Sequence, residues 1–318
     1  MRAFFLFLLS IQAGQFAIAA TTATIITVQP TLNNPTTSGT ALLNAVSTYK
    51  SSATAANPYL IKISPGKYDI GSNALQMYPY LDIEGSGQGV TIIIGRYTQT
   101  ILLTANADLR NLTVQNTYSG GSVLMCPAST LVTGVTVCSS TSMPRISDVT
   151  VQTTQSNQYG LYIAAGAPIV SNSTIQVIYS GFSSPLGTVN AVYVNQNGAY
   201  SQPAFFRNVV VTLVGPSLDT SSLVYGFRVG NKSSVVMYQT TIGNYLTNSV
   251  YVSLGTSLAN STVNVQNSEL HSPIFVGAYN VFRAAATMVD AAVTNSSGSV
   301  ACVASYNFNF MLVGAGCS

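Results

Sequence analysis

A six-residue pattern that returns along the chain constrains the fold more than any other feature. Its copies begin and end with an apolar residue and carry an amide or a carboxylate at the third position. They are "LRNLTV" (109–114), "ISDVTV" (146–151), "VSNSTI" (170–175), "FRNVVV" (206–211), "MYQTTI" (237–242), "VQNSEL" (265–270) and "MVDAAV" (288–293). Successive copies start about 23 to 37 residues apart, which is the spacing of a solenoid whose repeats stack on one another.

A second phrase lies between these copies and has the alternation of a strand. An aromatic residue or Arg stands between two apolar residues, as in Leu161, Tyr162 and Ile163. Side chains alternate across a strand, so the flanking residues are predicted to face the core and the middle residue to face outwards. If coils stack at about 4.8 Å, the middle residues form one row, called the outer row below. Its members are Tyr162, Tyr193, Arg228, Tyr251 and Phe275.

The third position of the six-residue pattern predicts a bend inside each coil. Its residues are Asn111, Asp148, Asn172, Asn208, Gln239, Asn267 and Asp290. We expect these side chains to be buried and to hydrogen-bond the backbone of the next coil, because buried polar groups need partners.

One segment differs from the repeats and predicts a helix. Residues 37–52, "TSGTALLNAVSTYKSS", place Leu42, Leu43, Val46 and Tyr49 at helical spacing after Thr and Ser residues that could cap it. A solenoid needs its first coil covered, so this helix is predicted to cap the N-terminal end. No helical period of useful length follows residue 60. The predicted fold is therefore all-β with one capping helix.

The segment that follows the helix carries a family resemblance. A "P-G-x-Y" strand start is followed by a "G-x-G" turn and "T-I-I-x-G"; the matching residues are Pro65, Gly66, Tyr68, Gly85, Gly87, Thr91 and Gly95. From residue 37 to about 300 the chain resembles the pectin lyase-like superfamily, and its N-terminal part is most similar to pectinesterase-like proteins. The resemblance implies a right-handed, single-stranded parallel β-helix. It does not specify an activity, because this architecture carries many functions.

The two ends of the chain divide it into three regions. Residues 1–19 contain Arg2, a short apolar run and Ala17–Ile18–Ala19, a pattern typical of a signal peptide. We expect a cap and first strand region at 20–60 and the β-helix at 61–318. The protein is predicted to be secreted, periplasmic or at the cell surface, without a transmembrane segment after signal cleavage. An uncleaved anchor is the alternative, which the shortness of the apolar run disfavours.

An even number of cysteines in an exported chain favours disulfides. Their grouping suggests the pairs Cys126–Cys138 and Cys302–Cys317, out of three possible pairings. We predict no metal site, because the chain has no C-x-x-C and its one histidine, His271, is isolated in the sequence.

Composition excludes several function classes. Charged residues make up 6% of the chain and no basic run occurs, so a nucleic-acid partner is not expected. Two adjacent carboxylates occur nowhere, and the chain has no Trp, so the catalytic motifs of pectinesterases and polygalacturonases are absent. Eight acidic residues spread over 318 disfavour a Ca²⁺ site, so no cofactor is expected unless the chain is a lyase, which would bind Ca²⁺.

Weak catalytic candidates remain in "YLDIEG". Asp82 and Glu84 share one strand face, and Arg110 is a basic neighbour that could complete a site. The alternative is an ordinary solvated strand face in the first coils. Asp108, Arg110, Arg145 and Asp148 could likewise form a lyase-like cluster, and ion pairs between coils are the alternative that we favour for them.

The outer row leads to the functional hypothesis. Rings spaced along a solenoid could stack on consecutive sugars of a polysaccharide or cell-surface glycan, and an exposed apolar row commonly binds something. The competing interpretations are an ordinary β-surface, where Tyr and Phe are favoured, or a row covered by a loop or a second subunit. We expect an exported, non-catalytic glycan-binding or surface-structural protein. The alternative is a divergent carbohydrate-active enzyme (a polysaccharide lyase, hydrolase or pectinesterase-like protein).

Overall fold

The structure, a computed structural model, describes most of the chain after residue 21. The described residues are 22–96, 99–103, 107–117, 121–125, 143–154, 159–164, 166–178, 188–196, 202–214, 223–230, 232–243, 248–252, 260–290, 292–307, 309 and 311–317. The predicted signal peptide at 1–19, Cys126 and Cys138 lie outside the described residues. No helix in the described part is long and apolar enough to cross a membrane.

Strands from every coil form two parallel sheets and confirm the predicted parallel β-helix. The first sheet has 16 strands in the described part: β1 (Thr24–Val28), β2 (Tyr59–Ile63), β3 (Gly66–Gly71), β5 (Leu81–Glu84), β6 (Thr91–Gly95), β8 (Asp108–Asn116), β10 (Arg145–Thr153), β12 (Ile169–Ile178), β14 (Ala204–Val214), β16 (Ser234–Tyr238), β17 (Thr241–Ile242), β19 (Thr262–Gln266), β20 (Glu269–Leu270), β22 (Val281–Ala285), β23 (Met288–Val289) and β25 (Ser299–Val303).

The second sheet takes one strand from each of nine coils, of which the first begins with β2 and the last begins with β22. Its nine described strands are β4 (Leu75–Gln76), β7 (Gln99–Leu103), β9 (Gly121–Met125), β11 (Tyr159–Ile163), β13 (Thr188–Val194), β15 (Leu223–Val229), β18 (Asn248–Val252), β21 (Ile274–Val276) and β24 (Val293–Asn295).

Strands of successive coils pair in one constant register, so that residues at equivalent positions of neighbouring coils lie side by side. In the first sheet Val151 of β10 lies beside Val114 of β8 on one side and Ile175 of β12 on the other, and all three are buried. The second sheet aligns Leu161 with Val192 in the same way. Inward columns of Val, Ile and Leu therefore form one continuous core between the sheets, and each buried side chain contributes about 1.5 to 3 kcal/mol.

The third position of the repeat is a bend that divides the first sheet into two limbs. Six of the seven predicted residues have left-handed backbone, with φ between 48° and 57°: Asn111, Asp148, Asn172, Asn208, Gln239 and Asn267. Asn and Asp tolerate this conformation because their short polar side chains can hydrogen-bond locally. The sequence therefore predicted the bends from the residue type that the backbone requires.

The seventh predicted bend is wrong. Strand β22 pairs with β19 so that Ala285 lies beside Gln266, and the bend falls on Ala286, with φ 48°, rather than on Asp290. A further bend, at Ala304, was not predicted. Both of these bends are formed by alanine, which gives no amide signal in the sequence. The seventh copy of the six-residue pattern (288–293) therefore does not coincide with a bend.

The expectation that the bend side chains are buried is also wrong. Asn172, Asn208 and Asn267 are exposed, and Asn208 Nδ2 donates to Asn172 Oδ1 at 3.0 Å on the surface. The buried polar ladder belongs to hydroxyls one position later in the coil. The Val149 N–H donates to Ser173 Oγ at 3.2 Å, and equivalent hydroxyls recur at Thr240, Ser268, Thr287 and Ser305. A small hydroxyl fits inside the turn and donates to the backbone carbonyl two residues earlier, as Ser173 does to Ser171, which an outward-pointing amide does not do.

The predicted capping helix forms, with an earlier start. Helix α1 spans Pro35–Tyr49, and Asn34 is its N-cap, accepting a hydrogen bond from the Thr37 N–H at 3.1 Å. The expected Thr or Ser cap is wrong because Asn34 before Pro35 meets the N-cap and N1 preferences together. Leu42 and Val46 are buried against the first coil. Gly39 allows this approach, since a Cβ there would lie 2.1 Å from the Asp69 carbonyl oxygen.

The residues that carry the family resemblance shape the first turns. Gly85 lies so close to the next coil that a Cβ would meet the Asn111 carbonyl oxygen at 2.4 Å. Tyr68 is buried and its hydroxyl donates to the carbonyls of Val28 and Ser64. Burial raises the pKa of Tyr68 to about 12, so it stays a hydrogen-bond donor. These contacts tie the first coil to the strand before α1.

A disulfide closes the C-terminal end. Cys302 of β25 is bonded to Cys317, as the sequence predicted, and the Cys302 N–H donates to the Ala315 carbonyl at 2.8 Å. The last segment is thereby held against the final coil.

Exchanging residues at two equivalent bends tests the bend assignment. Ala286→Asn should stabilise the protein by about 1 kcal/mol, because Ala pays more than Asn for left-handed backbone. Asn267→Ala, the matched change in the preceding coil, should destabilise it by a similar amount. Urea unfolding measures both free energies, and equal signs for the two variants would contradict the assignment.

Removing the C-terminal disulfide should weaken the fold. Cys302→Ser/Cys317→Ser opens a loop with a sequence separation of 15 residues, and a loop of that length predicts a loss of about 3 kcal/mol. Denaturant unfolding without reductant checks this value. A decrease in unfolding free energy below about 0.5 kcal/mol would show that the disulfide does not hold the C-terminal end of the β-helix.

Candidate functional site

The second sheet brings the five predicted residues of the outer row into one column. Tyr162 pairs with Tyr193, Tyr193 with Arg228, Arg228 with Tyr251, and Tyr251 with Phe275. Their apolar neighbours Leu161, Val192 and Phe227 are fully buried. In-register parallel pairing directs residues of one column to the same face. The column therefore crosses the sheet from β11 to β21.

The first rings of the outer row are stacked. The Tyr162 and Tyr193 ring centroids lie 5.2 Å apart with planes 20° from parallel. A third ring, that of Tyr159, lies 5.2 Å from Tyr162 and 5.5 Å from Tyr193. All three side chains are half-buried, so part of each ring remains accessible. The three rings cover one another's faces and form one half-buried apolar cluster, called the platform below.

Arg228 extends the platform with a cation. Its Cζ lies 5.1 Å from the Tyr193 ring centroid and 5.9 Å from that of Tyr225, within the range of cation–π attraction. The side chain forms no salt bridge with any described acidic residue. The platform thus offers a positive charge that its described surroundings do not neutralise.

Burial keeps the platform's phenols protonated. Burial raises the pKa of Tyr159 and of Tyr193, while the Arg228 guanidinium lowers both in part without reversing the shift. At neutral pH both hydroxyls are therefore neutral and can donate a hydrogen bond.

Strict alternation missed two residues of this face, Tyr159 and Tyr225. They lie two positions before Leu161 and Phe227, so alternation predicts them inward. In each strand, however, two successive residues are buried, Gly160 with Leu161 and Gly226 with Phe227. This irregularity places the half-buried Tyr159 ring beside those of the outer row, whereas Tyr225 is itself buried, at 5% exposure, with its ring near the Arg228 guanidinium. A glycine immediately before the inward residue was the available signal.

The three weak catalytic candidates lie together on the first sheet, apart from the outer row. Arg110 Nε donates to Glu84 Oε2 at 2.9 Å, and its Nη1 lies 3.8 Å from Asp82 Oδ2 and 3.7 Å from Asp108 Oδ2. Lys62 Nζ lies 3.7 Å from Glu84 Oε1. The cluster joins strands β2, β5 and β8, which is the inter-coil ion-pair arrangement that the sequence left as the alternative.

The environment of Asp82 is the most perturbed in that cluster. Burial raises the pKa of Asp82, opposed by the Asp108 N–H, which donates to Asp82 Oδ1 at 2.9 Å, and by the guanidinium groups of Arg110 and Arg145. Of the other charged candidates, Arg145 pairs in register with Asp108, and Asp148 is a bend residue.

His271 is less isolated than its sequence position indicated. Its Nε2 lies 3.3 Å from Glu269 Oε2, and its Nδ1 lies 3.4 Å from Asp290 Oδ2 in the next coil. Within the described ranges no group of three His, Cys, Asp or Glu side chains is arranged to hold a metal ion.

Comparisons with known proteins add likenesses of structure. No protein-family model matches the chain, and no curated protein matches it in sequence. The A-module of mannuronan C-5 epimerase AlgE6 from Azotobacter vinelandii matches with a TM-score of 0.49 and 14% identity, covering 85% of this chain and 75% of that one. The AlgE4 A-module from the same organism matches with a TM-score of 0.33 and 12% identity, over 88% of each chain. The parallel β-helix that the resemblance implied is confirmed by the two parallel sheets of the structure itself.

The tyrosine platform predicts how stability depends on alkaline pH. The folded-state pKa of Tyr159 and Tyr193 is raised, so their contribution is complete below the unfolded value of 10.0 and is lost as pH rises through the folded value. Tyr159→Phe/Tyr193→Phe should therefore lose less stability than wild type between about pH 9 and about pH 11. Urea unfolding at each pH measures the slopes, and equal slopes would contradict the burial of these phenols.

Proposed function

We propose that this protein is an exported, non-catalytic β-helix that binds a polysaccharide or cell-surface glycan along the outer row. The observation that carries the proposal is the stack formed by Tyr159, Tyr162 and Tyr193, with Arg228 beside it. The C–H groups of a sugar ring can pack against the exposed part of this apolar cluster, while the tyrosine hydroxyls and Arg228 can hydrogen-bond its polar groups.

The spacing of the row supports an extended ligand. Successive members are one coil apart, at about 4.8 Å, and the row crosses five strands of the second sheet. A linear polymer laid across the strands would meet a new residue at every coil. Tyr hydroxyls and the Arg228 guanidinium supply hydrogen bonds to its polar groups, as glycan sites combine apolar faces with a few polar contacts.

The position of the acidic residues favours binding without catalysis. Asp82 and Glu84 lie on the first sheet and are engaged with Arg110, whereas the platform lies on the second sheet. Hydrolysis of a glycosidic bond needs two carboxylates at the same bond. The described members of the row are aromatic or basic, so chemistry there would need groups from elsewhere.

Export is supported by two independent features. The first 19 residues have the composition of a signal peptide. Cys302 and Cys317 form a disulfide, which persists in oxidising compartments and is rare in the cytosol.

A glycan array tests the proposal. Wild type and Tyr162→Ala/Tyr193→Ala are compared, and the double variant should bind at least about tenfold more weakly, because anchoring aromatic residues typically contribute more than 1 kcal/mol each. Tyr238→Ala is the matched control, since Tyr238 is a half-buried ring on the first sheet and should leave binding unchanged.

Two results would overturn the proposal. Equal binding by wild type and the Tyr162→Ala/Tyr193→Ala variant would show that the platform is not the site. Release of reducing or unsaturated sugars from pectin or alginate by the wild-type protein would show that the chain is an enzyme, the alternative that the sequence left open.

A further inference from the structure

A second column of residues lies beside the outer row on the same sheet. Strand pairing places Asn190 of β13 between Tyr159 of β11 and Tyr225 of β15. Both tyrosine rings face the platform, since Tyr159 stacks on Tyr162 and Tyr225 lies near the Arg228 guanidinium. Paired residues of parallel strands project to one face, so Asn190 lies on the platform face of the sheet.

Asn190 has the same local irregularity as its neighbours. Ala191 and Val192 are both buried, at 1% and 0% exposure, just as Gly160 and Leu161 are in the preceding coil. Because Asn190 pairs in register with Tyr159, it is placed on the same face of the sheet as that ring. Asn190 is only 1% exposed and lies between Tyr159 and Tyr225 in the sheet, a position called the floor of the platform below.

The floor carries an acceptor without a donor. Asn190 Oδ1 is buried and has no hydrogen-bond partner among the described residues, and the same is true of Arg228 Nε. These are two of the four such side-chain atoms in the described part of the chain, and both lie on the platform face. Buried polar atoms without partners destabilise a fold, so native structures retain them mainly where something else satisfies them.

We propose that Asn190 determines which glycans bind, by accepting a hydrogen bond from a free sugar hydroxyl group. This inference rests on the glycan-binding function proposed above. A hydroxyl matches the floor because its hydrogen can be donated to Asn190 Oδ1, while an oxygen of the sugar chain can accept from Arg228 Nε. An ionised carboxylate or an esterified hydroxyl has no hydrogen to donate. The ligand class is thus a sugar chain with unsubstituted hydroxyl groups on the face that meets the sheet.

The first test removes the acceptor and keeps the side-chain volume. Binding of cellohexaose, xylohexaose, mannohexaose and hexagalacturonate to wild type and Asn190→Leu is measured by calorimetry. Asn190→Leu should weaken binding about tenfold for each hexasaccharide that wild type binds, the effect of losing one good hydrogen bond. Asn264→Leu, at a half-buried Asn of the first sheet, is the matched control and should bind like wild type.

Thermal unfolding separates a binding role from a structural one. Leucine removes a buried acceptor that lacks a donor, so the Tm of Asn190→Leu should rise by about 2 °C while binding falls. An Asn190 that merely supports the fold gives the opposite result, with a lower Tm and unchanged binding. A raised Tm with unchanged binding would show that the buried acceptor takes no part in binding, and would equally overturn the inference.

A second test uses the wild-type protein and does not depend on how the variant folds. Each hexasaccharide is compared with its 2,3-di-O-acetyl form, which lacks the hydroxyl hydrogens. Wild type should bind the acetylated form at least about tenfold more weakly, and equal binding would overturn the inference.

The two proposals fail in different ways. If wild type binds none of the four hexasaccharides, or the Tyr162→Ala/Tyr193→Ala variant binds them equally well, glycan binding by the platform is wrong. If that variant loses binding while Asn190→Leu and the acetylated sugars bind normally, only the role of Asn190 is wrong.

Discussion

In-register parallel pairing between successive coils is the constraint on which the rest of the structure depends. One coil buries too little to fold alone, so each strand must present its apolar residues to identical positions above and below. That register forms the core from columns such as Val114, Val151 and Ile175. The same register places the outward residues of successive coils side by side, so that they form a row. Both the ion pairs of the first sheet and the platform of the second sheet result from this alignment of outward residues.

The two sheets use their outward columns differently. On the first sheet, opposite charges lie one coil apart, so Arg110 contacts carboxylates of its own strand and of the previous coil. The opposite charges of these pairs neutralise one another, so little unpaired charge remains there to attract a ligand. On the second sheet, rings lie one coil apart and Arg228 has a ring rather than a carboxylate beside it. The stacked tyrosines remain half-buried rather than fully covered, which makes this sheet the better candidate for binding.

The bends show where local chemistry and burial diverge. Each bend needs one residue with left-handed backbone, and at most bends this residue is Asn or Asp, for which the conformation costs little free energy. The polar pattern therefore marked six bends correctly and missed those at Ala286 and Ala304. It did not mark what lies inside them, because Ser173 and Ser268, the hydroxyls that bond within the turn, look like ordinary surface serines in the sequence. Ala286 shows the limit, since packing holds it left-handed without any sequence signal.

The sequence by itself determined the solenoid, the capping helix, the Cys302–Cys317 pair and the five residues of the outer row. These follow from periodicity and from residue type, which act locally and repeat. Only the tertiary structure decided that Tyr159, Asn190 and Tyr225 share the platform face, because a pair of successive inward residues reverses the alternation there. It alone decided that Asp82, Glu84 and Arg110 pair with one another away from the rings, since which coil faces meet depends on the path of the whole chain.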